Sequence, residues 1–176
     1  MNIAPTKVRL SYTKLGKVRF LGHRDVARLW ERTLRKVEVP VSVSTGFTPR
    51  PRIAFGLALP TVAESLVELL DAQVDLPEEF RRDDVSTWDE LLVSWSERIE
   101  DALPPGIALT GIHPIPATTP SLQESVSASS WILLIDHPDV SDAVERVLRS
   151  DQVLLERERK GELGVDDVRP AILELG

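Results

Sequence analysis

The hydrophobic period of this chain switches from two to 3.6 and back in a set order, and that order limits the folds open to it. Lys7-Val8-Arg9-Leu10-Ser11-Tyr12-Thr13 alternates apolar and polar residues, as a half-buried strand does. Leu15-Gly16-Lys17 then reads as a turn and Val18-Arg19-Phe20-Leu21 as a short extended return. From Gly22-His23 the spacing becomes helical, with Val26, Leu29, Trp30, Leu34 and Val37 on one face. Asp25 in the first turn and Arg35-Lys36 in the last complement the helix dipole, and Glu38-Val39-Pro40 ends the helix.

Val41-Ser42-Val43-Ser44 reads as the next strand. A loop, Thr45-Gly46-Phe47-Thr48-Pro49-Arg50-Pro51, is stiffened by two prolines, and Gly46 is free to take positive φ. Arg52 to Leu59 is an extended arm closed by Pro60, and Leu66 to Leu76 a long strand. Trp88, Leu91, Leu92, Trp95 and Ile99 mark a second amphipathic helix over Thr87–Leu103, broken by Pro104-Pro105-Gly106. Ile107–Ile115 supplies a further strand. The sum is β-α-β-β-α-β, an α+β ferredoxin-like sandwich with two helices on one face of an antiparallel sheet. Residues 1–116 form this basic domain, and the polar residues 117–126 form a linker. Residues 127–176 give a second, incomplete unit, β-α-β-β: a strand over Ser129–Asp136, a helix from Pro138 to Leu148, and strands over Val153–Arg159 and Val168–Leu175. Its unfinished sheet leaves an edge that a second copy, giving a homodimer, or another partner strand would complete.

The net charge of −7 hides a division. Residues 1–60 hold twelve Lys/Arg against three acids, a balance of +9, whereas residues 61–176 carry −16. Such asymmetry orients an electric field and draws anions to one end. There is no cysteine, so the chain supplies no disulfide, no thiolate nucleophile and no ligands for an iron–sulfur cluster. A reducing cytoplasm is the expected home, and the longest apolar run, Trp131–Ile135, is far short of a membrane span.

Arg24, Arg28, Arg32 and Arg35 recur at helical spacing off the apolar stripe, a row of guanidinium groups suited to bidentate phosphate contacts. Arg50 and Arg52 alternate along the extended arm and should point the same way. All six are expected to converge as one anion cradle, against the plainer reading of a solvated helix face with local ion pairs. His23 and Asp25 border the helix start, where an imidazole beside a carboxylate would bind an anion or move a proton, or simply pack beside Phe20. Phe47, between Gly46 and Pro49, would stack on a base or plug the core. His113 and His137 lack ligand spacing with carboxylates, so no metal and no cofactor are expected, and no catalytic constellation can be assembled.

Phe20 to Arg32, followed by Ser44 to Phe55 with its Gly46-Phe47-Thr48-Pro49-Arg50-Pro51-Arg52 run, resembles the radical SAM-linked protein family of bacteria. Glu64-Ser65 with Glu68, and later Lys160-Gly161 with Asp167-Val168-Arg169-Pro170, fit further segments of its pattern. Gly22 stands where that pattern has a serine, a weaker helix cap. The resemblance implies an accessory to a B12-binding radical SAM enzyme, with a further helix and strand beyond this sequence. Taken with the arginines, the expectation is a non-catalytic accessory that binds an anionic substrate, RNA above all, and presents it to that partner. The alternatives are a protein–protein adaptor without nucleic-acid binding, and a small enzyme using His23 and Asp25 as acid and base.

Overall fold

The computed structural model describes residues 6–76, 85–116, 118–159 and 161–175. The chain divides into two compact units, residues 1–129 and 130–176. In the first, β1 (Thr6–Lys14), α1 (His23–Lys36), β2 (Ile53–Phe55), β3 (Ser65–Val74), α2 (Val85–Ala102) and β4 (Ile107–Ile115) follow one another in the expected order. The sheet runs β2-β3-β1-β4 and every neighbouring pair is antiparallel. That order places the first strand between the third and fourth, so each helix crosses from one strand to another two places away. This is the ferredoxin-like α+β arrangement.

Period-two alternation decides the core. Val8, Leu10 and Tyr12 of β1 and Leu70, Ala72 and Val74 of β3 turn to one face and expose at most 2% of their surface. Val26, Trp30 and Leu34 of α1 and its C-cap residue Val37 cover that face, with Leu92, Trp95 and Ile99 of α2. Trp30 meets Tyr12 with ring centroids 4.8 Å apart. On the opposite face Arg9 grips Asp71 across the β1–β3 pair through two bonds of 2.7 and 2.9 Å. The Asp71 hydrogen bond and charge hold the Arg9 guanidinium above its ordinary value despite its desolvation.

Three local expectations give way. Val41–Ser44 is no strand: Val41 and Val43 make only isolated bridges, to Val74 and Pro51. The edge is instead shared. Ser42 N donates to Gln73 O and Asp75 N to Pro40 O, then β2 pairs with residues 70–72. Pro40, Pro49 and Pro51 have no N–H to extend a ladder, so residues 43–51 leave the sheet as a loop. Val18–Leu21 is not extended either. Gly16–Phe20 forms a 3-10 turn that buries Val18. Glu64 fixes it by accepting from Gly16 N at 2.7 Å, and Gly106 O fixes it by accepting from Leu15 N at 2.8 Å. Gly106 has φ +99°, and a Cβ there would lie 2.5 Å from Leu15 O. Only glycine fits both demands. Finally, residues expected as linker include a short helix, α3 (Leu122–Ser125), closed by a Ser121–Glu124 capping box. Its Leu122 is 1% exposed, Gln123 donates to Phe55 O, and Lys7 donates to Thr119 O, so the stretch lies on the first unit.

The second unit contains α4 (Val140–Arg149) and a hairpin of β5 (Leu154–Arg159) with β6 (Glu162–Asp167). The stretch expected as a strand over Ser129–Asp136 belongs to neither sheet of the described residues. That over Val168–Leu175 is replaced by a 3-10 turn at Arg169–Ala171. Pro170 cannot donate to a ladder, which accounts for the turn. No described helix is long and apolar enough to cross a membrane.

Candidate functional site

Helix α1 carries the arginine row as its spacing requires. Val26, Trp30, Thr33 and Leu34 are buried, whereas Arg24, Arg28, Arg32 and Arg35 are all exposed, on the opposite side of the helix. Successive members rise about 6 Å along the axis, and about 4.5 Å at the last step. Arg28 Nη1 stands 3.9 Å from Asp25 Oδ1, a loose pair open to solvent. Arg24, Arg32 and Arg35 have no carboxylate within 4 Å among the described residues.

Arg52, the last member of the expected cradle, lies apart from that row. Arg52 aligns with Gln73, one residue before the Ile53–Ala72 pair, and donates to its Oε1 at 3.1 Å. Ala72 faces the helices, so by alternation Arg52 and Gln73 belong to the other face of the sheet. Arg52 therefore does not join the α1 row. Arg50 sits on the returning side of the 43–51 loop, where its backbone N–H donates to Ser44 Oγ and its carbonyl accepts from Ser44 N. Gly46 in that loop takes φ +150°, and Phe47 and Pro49 are exposed. Phe47 plugs no core: it projects fully into solvent.

His23 and Asp25 part company. Asp25 turns toward Arg28. The His23 ring meets Phe55 edge-on at 5.6 Å and helps to line a niche with Tyr12, Lys14, Val26, Leu57, Leu59 and Glu68. Sequence reasoning missed Lys14, Tyr12 and Glu68 here, although the signal was available. Inward positions on β1 run Val8, Leu10, Tyr12, then Lys14, and on β3 they run Val74, Ala72, Leu70, then Glu68. A charge at a core-facing place in an alternating strand is the observation to follow.

Lys14 exposes only 2% of its surface. Its ammonium donates once, to Arg19 O at 3.2 Å, and has no carboxylate within 4 Å among the described residues. Burial lowers its pKa, with the Glu68 charge opposing. Burial also raises the Glu68 carboxyl, against a Ser65 hydrogen bond and the charges of Lys14 and His23. The Tyr12 phenol is raised above its ordinary value by burial and by Glu68; Trp30 pulls the other way. The Trp30 indole N–H is nonetheless buried without a well-formed hydrogen bond.

Residues 7–176 match a family described as an uncharacterized protein conserved in bacteria (DUF2344). The chain belongs to that family. No curated protein and no solved structure matches it. Membership in DUF2344 brings no reaction and no ligand with it. The described residues also contain no cluster of three or more His, Cys, Asp or Glu able to hold a metal ion.

Proposed function

We propose that this protein binds a phosphate-bearing polymer, RNA, on the exposed face of α1 and serves as an accessory to an enzyme. The resemblance of residues 20–69 suggests a radical SAM enzyme as that partner. One observation carries the reading: four arginines share one solvent-facing stripe, and among the described residues only Arg28 has a carboxylate near it. Unpaired guanidinium groups one turn apart offer forked donors to successive phosphates. The surplus of base over acid in residues 1–60 adds a field that draws a polyanion to the same unit.

Binding of this kind releases counterions. For single-stranded RNA, each phosphate contact contributes about −0.7 to the slope of log K against log salt. Replacing Arg24, Arg28 and Arg32 together by alanine should weaken binding and reduce that slope by about 2. Arg52→Ala serves as the control, because Arg52 lies on the far face of the sheet. RNA binding that is absent in the native protein, or that ignores salt, overturns the reading.

A protein–protein adaptor is the second reading, favoured by the second unit. Ile132, Leu133 and Leu134 there are 89%, 70% and 96% exposed, and such an apolar run suits a protein partner. Retention of an enzyme partner without RNA in a co-purification from cells would move the balance to it.

A further inference from the structure

Three polar groups meet in the α1 niche without bonding to one another. Lys14 has two N–H donors beyond the one given to Arg19 O. The Tyr12 hydroxyl, on a residue 2% exposed, makes a poorly formed contact with the Trp30 indole N–H, and its own O–H proton remains to give. Glu68 supplies acceptors on the adjacent strand, with Tyr12 directly across from it. Phe55, Val26, Leu57 and Leu59 make the remaining wall apolar, and the exposed His23 ring stands at the mouth. Buried polar groups with unused donors and acceptors in an apolar setting are costly, and they recover that cost when a ligand or a water satisfies them.

The pattern of donors and acceptors selects the occupant. A simple anion would suit Lys14 and Tyr12 but meet Glu68. An apolar group would leave the spare donors of Lys14 and Tyr12 and the spare acceptors of Glu68 unused. What fits is a planar group with an acceptor beside a donor: the acceptor on Lys14 and Tyr12, the donor on Glu68. The two rings at the entrance, His23 and Phe55, offer faces and edges to a flat ligand. His23 is also the first residue of the helix that bears Arg24, Arg28, Arg32 and Arg35. We propose that the niche formed by Tyr12, Lys14, His23, Phe55 and Glu68 receives the hydrogen-bonding edge of one nucleobase from the polymer held by the α1 arginines. This rests on the RNA-binding reading and adds a base-dependent element to it.

The floor of the niche has about 10 Å³ of open space, room for a single water. A base therefore enters by displacing the segment Leu57–Leu59. That segment is anchored at its two ends, where Gly56 N donates to Leu69 O and Val62 N to Arg19 O. Leu57, Ala58 and Leu59 make no backbone hydrogen bond to the described residues. Val62 takes φ +73°, an uncommon state for a β-branched residue, and stores strain at the end of the moving wall.

The test compares a twelve-residue oligouridylate with an abasic ribose-phosphate oligomer of equal length, at one salt concentration. The wild-type protein should prefer the base-bearing oligomer about tenfold. Lys14→Met and Glu68→Gln should each bring oligouridylate down toward the abasic oligomer's affinity. No preference in the wild type, or a preference that both variants keep, overturns the niche while the arginine face stands. If neither oligomer binds, the RNA reading itself fails, and uridine alone then tests the niche. Uridine should shift the His23 ring resonances in the wild type and leave them unmoved in Lys14→Met. Absence of that shift overturns the proposal independently.

Discussion

The two units use the same sequence grammar and reach different ends. In the first, two helices close over one face of a four-stranded sheet, and twenty hydrophobic side chains of the described residues are buried. In the second, one helix and a two-stranded hairpin leave no described residue buried. Leu163 is 81% exposed and Leu173 77%, although β5 and β6 pair along six residues. Amphipathic pattern alone therefore does not make a core. Apolar faces disappear only when a second layer is available to cover them, and a lone hairpin has none.

That contrast can be broken by truncating one large side chain in each unit. Trp30→Ala removes a ring that is fully buried against Tyr12, and should cost about 3–5 kcal/mol in a denaturant titration. Leu163→Ala removes a side chain already in water, and should change stability by less than about 0.5 kcal/mol. A comparable loss at both sites would mean that the second unit has a hidden core in solution. Next in size is Gly106→Ala. The added methyl meets Leu15 O and the Val18 side chain, and the left-handed backbone strains any L-residue. The expected loss is about 2–3 kcal/mol in the same titration. Gly161→Ala, at φ +85° but with nothing within 4 Å, isolates the backbone part of that loss in the second unit.

Legibility of the fold followed the same division. The helices at 23–36 and 85–102 and the strands at 6–14, 65–74 and 107–115 are long, strongly periodic and covered on one side, so pattern located them within two residues. The failures share a cause. At Val41–Ser44 the β-branched alternation was genuine, but the prolines around it denied the ladder its donors, and the edge passed to Ile53–Phe55. At Ser129–Asp136 the apolar run was genuine too, but the described sheet of the second unit consists of β5 and β6 and does not include it. The candidate site was half legible. Helical spacing correctly grouped the α1 arginines. The alternation of Arg50 and Arg52 said nothing about which side of the sheet they would occupy, because that is set by the register against β3. Lys14 and Glu68 passed unnoticed because each reads as an ordinary charge until the inward parity of its strand is extended by one more step.

The mildest effect concerns that pair and has a definite sign. Burial raises the pKa of Glu68 in the folded state, so the native protein holds its proton to higher pH than the unfolded chain does. Below the unfolded value both states are protonated and Glu68 costs nothing. As pH rises through the folded value, ionisation of the half-buried carboxyl removes stability, and that penalty persists at neutral pH. Glu68→Gln keeps the shape and cannot ionise. Its melting temperature should equal that of the wild type near pH 3.5 and exceed it at pH 7, with the gap opening just above the ordinary carboxylate range near 4.3. Lys14 opposes this result, since its positive charge favours ionised Glu68. Melting curves across pH 3.5–8 therefore weigh desolvation against attraction directly. A Gln variant less stable at pH 7 would show that attraction prevails, and the niche would then be a closed ion pair rather than a set of groups awaiting a ligand.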